Sequence, residues 1–529
     1  MSYPSIFNDV LGPVMRGPSS SHCAASLRIG RICRDLMGGQ IEEVLVEYDP
    51  NGSLATTHKS QGSDMGLFSG LLGWEADDER LQHYQQGVLD AGIDIDIQIR
   101  EIGATHPNTY QLTLSNSEET HQLIALSIGG GMIEVIEIDG AAVHMAGDFW
   151  ETLVYAKKGK ELETFLASLS AVDDILFCEG DQHFFRLKSQ TALAPVLLEE
   201  IAQWPQVEAI KHIAPVLPIL SRKDLAVPFI SCAEMLAYNE SRQLKLWQLA
   251  LAYESERGNI SEEEVWEKMT ELVGIMRTSI EYGLLGTQYK DRILGPQSLG
   301  FQEKMTDNGL IRNQVLNQII LYVSAMMEVK SAMGVIVAAP TAGACGALPG
   351  AILGAASAMN LSEEASIKAM LAAGMIGVFI SAHATFAAEV GGCQAETGSG
   401  GGMAAAGIVE LAGGSLEQAL AAASMALQNS LGVICDPVAN RVEAPCLGRN
   451  VMAASNALSC ANMALAAYDP LIPLDQVIDT MNEVGERMAH ELRCTSLGGL
   501  SITPASKAIE ARLADQEHLQ ETARKFKIC

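Results

Sequence analysis

The chain has 529 residues, enough for about three to four domains of ordinary size. Its formal net charge of −29 argues against binding to nucleic acid or to an anionic membrane surface, because both attract basic patches. The eleven cysteines, in a chain whose first residues (MSYPSIFNDV) lack a basic stretch followed by an apolar one, predict a cytoplasmic protein. There, cysteines serve metal binding or catalysis more often than disulfides.

Residues 1–150 alternate between strand-like and helix-like segments, which predicts an α+β domain. Apolar residues at helical spacing predict a helix over residues 23–36. β-Branched or alternating apolar patterns predict strands at residues 41–48, 94–102, 110–114 and 132–138.

Residues 151–216 predict a smaller domain with a βαββαβ order, a ferredoxin-like pattern. The predicted elements are a strand at 152–156, a helix at 161–169, a hairpin at 175–187, a helix at 193–204 and a strand at 207–213.

Residues 225–529 predict a large, mostly α-helical domain interrupted by glycine-rich turns at 340–350, 391–402 and 496–499. Two apolar segments, 332–358 and 367–388, approach the length that spans a bilayer. Pro340 and Pro349 interrupt the first, and the second carries Lys368. Both are therefore interpreted as helices buried in a large core.

Three cysteines lie in glycine- or proline-rich loops between apolar helices: Cys393, Cys435 and Cys446. None of them forms a CxxC pair, so a metal site and ordinary burial both remain open at this point. Cys460 falls within an apolar helical pattern and is predicted to be core. Cys345 and Cys494 lie in loops, and the sequence pattern assigns neither of them to a metal site or to the core.

A serine-rich segment, GPSSSH, precedes the first predicted helix and contributes Ser19, Ser20, Ser21 and His22. Hydroxyl groups and backbone N–H groups at a helix amino terminus suit a carboxylate or a phosphate. The alternative is a serine that only caps the helix.

The chain ends on Cys529, at the end of a charged stretch (ETARKFKIC). Either a cysteine at this position has arisen by chance, or the tail returns to the active site and places the cysteine sulfur or the terminal carboxylate on a metal.

Long segments, in order, resemble the bacterial iron–sulfur-dependent L-serine dehydratases, in which β and α portions are separate subunits or one fused chain. They are GPSSSHCAASLRIGR, HPNT, SIGGG, PTAGACGALPG, GGCQAETGSGGG, VELAGG, LGVICDPVANRVEAPCLGRNVMAASNA and SLGGL. The resemblance implies that Cys393, Cys435 and Cys446 hold a [4Fe–4S] cluster with one iron lacking a protein thiolate. Cys529 matches a terminal cysteine that occupies this iron in some members until substrate displaces it.

The resemblance also implies the domains and the reaction. Residues 1–150 resemble the substrate-binding domain of certain phosphoglycerate dehydrogenases, residues 151–216 resemble an ACT domain, and residues 225–529 form the iron–sulfur catalytic domain. A homodimer is expected, acting in amino-acid catabolism and gluconeogenesis on L-serine, which yields pyruvate and ammonia. The middle domain lacks a glycine after its first strand, which favours a scaffold or dimerisation role over effector binding.

Residue roles follow from the same resemblance as expectations. The three serines 19–21 would hold the substrate carboxylate, and Thr341 would line the cluster pocket. His22 is the expected base or proton shuttle, because imidazole titrates near neutral pH. His106 and His383 are the alternatives.

Four residues depart from the family pattern and bear on the substrate. Cys23 stands where the family has threonine, Gln61 where it has histidine, and Asn440 and Arg441 where it has Gly-Leu. A related lyase for another β-substituted amino or hydroxy acid is therefore the nearest alternative. A regulatory protein without turnover and, more remotely, a membrane carrier are the others.

Arg441 is the departure with the clearest chemical consequence. An arginine between two cluster cysteines is placed to pair with a second anionic group on the substrate. The equally weighted alternative is an ion pair with Glu443 or Asp436.

Overall fold

The computed structural model describes residues 3–514, which divide into two compact units. Unit 1 comprises residues 3–9, 20–228 and 253–261. Unit 2 comprises residues 10–19, 229–252 and 262–514. Apart from residues 10–19, both predicted amino-terminal domains fall within unit 1, and the boundary predicted between them, at residue 150, stays a prediction. Cys529 lies outside the described residues.

Unit 1 contains a six-stranded mixed sheet in the order β3-β2-β4-β5-β6-β7. Only β2 and β3 pair in parallel, and the other neighbours are antiparallel. The strands are β2 (Glu43–Tyr48), β3 (Asp94–Ile99), β4 (Thr109–Ser115), β5 (Thr120–Gly129), β6 (Met132–Ile138) and β7 (Ala141–Met145). Four of these six were predicted; β5 and β7 were not.

Helices α1 (Ala25–Leu36) and α3 (Ser63–Leu71) pack against each other through glycine. A Cβ on Gly30 would lie 2.3 Å from the Leu67 carbonyl oxygen, and one on Gly70 would lie 2.1 Å from that of Leu27. The backbones therefore approach as closely as glycine allows. Unit 1 also contains α2 (Leu54–Thr57) and α4 (Tyr84–Ala91).

The predicted βαββαβ order is present in unit 1. It forms a four-stranded antiparallel sheet in the order β11-β8-β10-β9. Its elements are β8 (Trp150–Ala156), α5 (Lys160–Ala167), β9 (Asp174–Cys178), β10 (Phe184–Ser189), α6 (Pro195–Ala202) and β11 (Val207–Ile213).

Unit 2 is mostly helical, which confirms the large helical carboxy-terminal region. The only sheet in its described residues is a two-stranded pairing of β1 (Val14–Met15) with β12 (Ile336–Val337). From α7 on, the helices are α7 (Cys232–Asn239), α8 (Leu246–Gly258), α9 (Glu262–Leu284), α10 (Ser298–Thr306), α11 (Gln314–Ser331), α12 (Ala347–Ala358), α13 (Glu363–His383), α14 (Ala388–Gly391), α15 (Ser399–Leu411), α16 (Leu416–Ser430), α17 (Cys446–Leu465) and α18 (Leu474–Glu486). Residues 253–258 of α8 count with unit 1.

One helix in the described part of the chain, α13, is long and apolar enough to cross a membrane. However, 78% of its most apolar window is buried inside the protein. This burial is typical of a core helix, as predicted for residues 367–388.

The α1–α3 contact gives a test of the fold. Gly30→Ala should destabilise the protein by about 1–3 kcal/mol, because the added methyl group meets backbone that cannot yield without moving a helix. The matched control is Gly274→Ala in α9, where a Cβ would meet nothing within 4 Å. That change should stabilise by up to about 1 kcal/mol through helix propensity. Denaturant unfolding measures both; a Gly30→Ala protein as stable as the Gly274→Ala protein would contradict the packing.

Candidate functional site

Four buried cysteines gather in unit 2, and we call them the cysteine pocket: Cys393, Cys435, Cys446 and Cys494. Their side chains are 2–6% exposed. The Cys435 thiol shares hydrogen bonds with the thiols of Cys393 and Cys494. Cys446 lies near enough for the charge of Cys393 to raise its pKa, although burial is the larger cause.

A tight turn presents Cys393 to the pocket. Gly392 has φ 72°, a conformation that favours glycine, and a Cβ there would lie 2.7 Å from the Met488 sulfur. Beyond Cys393, the Gln394 backbone N–H donates to the Val433 carbonyl at 2.9 Å. Gln394 also accepts from the Gly432 N–H and donates to the Met481 carbonyl. The cysteine is thus held between two anchored neighbours.

Cys446 is the first residue of α17, and Asn450 ties that helix end to the PTAGACG loop. The Asn450 amide donates to the carbonyls of Cys446 and Gly343, both at 2.8 Å, and accepts from the Ala347 N–H at 2.8 Å. All these contacts are buried.

Positive charge stabilises thiolate at Cys393. The Arg449 guanidinium donates to the Cys393 sulfur at 3.4 Å and forms an ion pair with Asp436. The hydrogen bond from Cys435, together with Arg449, lowers the pKa of Cys393 although burial opposes it. Thiolate is the form of cysteine that binds metal, so Cys393 is favoured in its metal-binding state. The hydrogen bonds with Cys393 and Cys494 instead raise the pKa of Cys435 well above its usual value.

A carboxyl group and an ammonium group complete the surroundings of the pocket. Glu396 hydrogen-bonds with Thr341, and burial, with the charge of Cys393, raises the Glu396 pKa well above its usual value. A Cβ on Gly343 would lie 3.1 Å from the Glu396 carboxylate oxygens, so glycine permits that approach. Lys330 is fully buried and donates to the Val442 carbonyl. Sequence patterns pointed to Thr341 but to neither Glu396 nor Lys330.

The donor set fits a soft transition metal. Ligand atoms of Cys393, Glu396 and Cys435 lie within 4.8 Å of one another. Thiolates suit zinc and iron–sulfur clusters, and Cys446 and Cys494 add two more sulfurs nearby. None of the ten cysteines in the described residues is in a disulfide. A cysteine-rich site is therefore present where the sequence predicted one.

The Arg441 guanidinium binds Asp291 in a bidentate pair, at 2.8 and 3.1 Å, a partner that neither interpretation named. Its pairing with a second anionic group on the substrate stays a prediction. The arginine beside the cysteines is Arg449 instead. The neighbouring Asn440 accepts a hydrogen bond from Ser496 at 2.9 Å.

The serine-rich segment is buried. Ser20, Ser21 and His22 belong to a π-helical turn, Ser20–Ala24, that runs into α1; Ser19 precedes it and is 8% exposed. At the start of α1 itself, the capping residue is Ala24, which makes no side-chain cap hydrogen bond.

His22 is fully buried. Its Nε2 is 2.8 Å from Thr57 Oγ1, and burial, with a smaller effect of His58, lowers its pKa to about 3. Its imidazole is therefore neutral at physiological pH. His106 accepts a hydrogen bond from the Asn108 backbone, and burial lowers its pKa too. His383 is exposed at the end of α13.

A histidine–aspartate pair lies near His22, and the sequence patterns missed it. His58 Nδ1 is 2.7 Å from Asp64 Oδ1, and the His58 ring packs on Tyr48 with centroids 5.3 Å apart. Nothing in the sequence marks His58, because the pair depends on the turn between α2 and α3. The His58 side chain is 21% exposed, so it is accessible from solvent, and the Asp64 carboxylate orients its ring.

Unpaired polar atoms lie close to the serine segment. Ser127 donates to the Ser21 carbonyl at 2.6 Å, and its N–H donates to the Asn108 carbonyl at 3.0 Å. Asn108 is fully buried, yet neither polar atom of its side-chain amide has a hydrogen-bond partner within the described residues. Such atoms cost free energy unless a ligand or water satisfies them.

Within the described residues, the cysteines outside the pocket are buried, and so is Gln61. Cys460 packs within α17, as predicted, and receives a hydrogen bond from Asn429. Cys345 is fully buried, with its sulfur 3.9 Å from that of Met327. Burial raises the pKa of Cys23 to about 12, so its thiol is neutral. Gln61 is fully buried.

Known proteins resemble both portions of the chain. Residues 241–501 match the family model described as serine dehydratase alpha chain. The probable L-serine dehydratase alpha chain of Bacillus subtilis is 35% identical over 285 residues, 54% of this chain and 95% of that protein. The probable L-serine dehydratase beta chain of the same organism is 40% identical over 154 residues, 29% of this chain and 69% of that protein.

A single-chain relative matches at nearly full length. L-serine dehydratase 1 of Escherichia coli is 28% identical over 500 residues, 92% of this chain and 96% of that protein. The resemblance therefore extends from the cysteine pocket to the amino-terminal portion in one continuous chain. This chain belongs to the L-serine dehydratase family.

Proposed function

We propose that this chain is an ammonia-lyase that converts L-serine to pyruvate and ammonia. The observation that carries the proposal is the buried cysteine pocket, in a chain whose relatives at near full length are named L-serine dehydratase. Loss of water from serine gives an enamine, which tautomerises and takes up water to release ammonia. The overall reaction is therefore neither an oxidation nor a reduction.

The proposed cofactor is a [4Fe–4S] cluster held by Cys393, Cys435 and Cys446. When bound, such a cluster would supply a Lewis acid for the substrate hydroxyl, whose departure is otherwise difficult. Arg449 and Lys330 would balance the negative charge of the thiolates, since uncompensated buried charge is costly.

The proposed carboxylate site is the buried serine segment at positions 19–21. Hydroxyl and amide donors stabilise a carboxylate without adding a competing charge. Asn108 supports this proposal, because its buried side-chain amide offers a donor and an acceptor to a polar ligand. Thr341 is proposed to position Glu396 through their hydrogen bond.

Two histidines are candidates for moving the α-proton. His22 was the expectation, but an imidazole with a pKa of about 3 holds an abstracted proton weakly. His58 is the stronger candidate, because Asp64 orients its ring and stabilises the imidazolium that would form. We therefore propose His58 as proton acceptor and His22 as a neutral hydrogen-bonding group.

The other expectations stay proposals. The alternative of a different β-substituted substrate rested on four departures from the family pattern, and one of them, Arg441, pairs with Asp291. An ACT-like role as scaffold or dimerisation element for residues 151–216 is supported by the strand order β11-β8-β10-β9. A homodimer is proposed on the resemblance alone, and the cytoplasmic location stays a prediction.

Removal of Cys393 tests the proposed reaction. After anaerobic loading with iron and sulfide, the unmodified protein should form pyruvate and ammonia in equal amounts from L-serine. Cys393→Ala should lose iron and turnover together, whereas Cys460→Ala, a buried thiol outside the pocket, should retain both. A Cys393→Ala protein that retains iron and activity, or an iron-loaded protein inert towards serine, would overturn the proposal.

Exchange of His58 tests the proton acceptor. His58→Asn should lower kcat by about 10²–10⁴-fold, because the proton-accepting imidazole is gone. The control is His144→Asn, since His144 is exposed on β7 and paired with Glu134. If His22→Asn abolishes turnover while His58→Asn leaves kcat unchanged, the role belongs to His22.

A further inference from the structure

Cys494 is the member of the cysteine pocket that neither the sequence pattern nor the family resemblance assigned. It is 5% exposed and packs in one cluster with Cys393, Cys435 and Ala388. Its thiol shares a hydrogen bond with that of Cys435. Cys435 therefore contacts two cysteines, one on each side.

The backbone holds Cys494 against Cys435. The Cys435 N–H donates to the Leu492 carbonyl at 2.8 Å, and the Cys494 N–H donates to the Cys435 carbonyl at 3.0 Å. Cys494 has φ 60°, a left-handed conformation that costs a residue with a side chain about 1–3 kcal/mol. The loop keeps this conformation, and with it the thiol stays in the pocket.

A buried cysteine that only fills space has different neighbours. Cys460, in α17, accepts a hydrogen bond from the side-chain amide of Asn429 in α16. Its thiol donates to the side-chain amide oxygen of Asn456 in its own helix. Cys494 instead shares a hydrogen bond with the thiol of Cys435 and packs in one cluster with Cys393. Several thiols around one point are the surroundings of a metal ligand rather than of a packing residue.

We propose that Cys494 is the fourth thiol ligand of the cluster and binds the iron that Cys393, Cys435 and Cys446 leave without a protein thiolate. This inference rests on the cluster proposed above. It gives Cys494 the role that the resemblance assigned to Cys529. L-serine would compete with Cys494 for that iron.

The test compares three single variants of the full chain: Cys494→Ser, Cys529→Ser and Cys460→Ser. Each is loaded anaerobically with ⁵⁷Fe and sulfide and kept free of substrate. Mössbauer spectra report whether one iron differs from the other three, and iron loss under mild oxidation is timed. Circular dichroism of the metal-free proteins checks that each variant folds.

The Cys494→Ser protein should show one distinct iron and should lose iron on the order of tenfold faster than the unmodified protein. The other two variants should match the unmodified protein. Because the Cys529→Ser measurement leaves Cys494 intact, it tests the inference even if Cys494→Ser fails to fold: four alike irons there support Cys494 as the ligand.

Three outcomes would overturn the inference. They are a distinct iron in Cys529→Ser, a Cys494→Ser protein indistinguishable from the unmodified one, and a disulfide between Cys435 and Cys494 in the loaded protein. If the unmodified protein loads a cluster and consumes serine in any of these cases, only the role of Cys494 fails. If it loads no cluster, the proposed cofactor fails as well.

Discussion

The cysteine pocket depends on one ion pair, between Arg449 and Asp436. Arg449 also donates a hydrogen bond to the Cys393 sulfur. Four thiols with little exposure to solvent would ordinarily be neutral, because burial disfavours a thiolate. The hydrogen bond from Cys435, together with Arg449, reverses this at Cys393. Asp436 holds the guanidinium in place, and its second oxygen accepts from the Leu500 N–H at 2.7 Å. Without this arrangement the pocket would be an apolar cluster of cysteines.

The need to bring distant cysteines together explains the structure of the segments around the pocket. Metal ligands must converge from distant parts of the chain, so the backbone has to turn tightly and its amides must be satisfied. Gly392 provides one turn, and Asn450 satisfies the start of α17 and the loop before α12 together. Buried Lys330 places a second cation in the pocket. The helices supply rigidity, and the loops between them supply the chemistry.

Patterns among neighbouring residues predicted the features of the structure that depend on neighbouring residues. Period-two alternation located β6, and the glycine- and proline-rich loops singled out three of the four pocket cysteines. Pairings across long stretches of chain were not predictable, because nothing in the neighbouring residues marks them: Arg441 with Asp291, and Cys494 with Cys435. The pair of His58 with Asp64 was missed for the same reason, although only six residues separate them, since a turn brings them together.

The central claim is that the hydroxyl group of serine meets iron held in the cysteine pocket. The most direct measurement is the electron paramagnetic resonance spectrum of the reduced, cluster-loaded protein, recorded with L-serine and with L-alanine, which lacks only the hydroxyl. The account predicts that L-serine changes the spectrum and that L-alanine leaves it as it is. A spectrum unaffected by L-serine, at concentrations that the enzyme turns over, would contradict it.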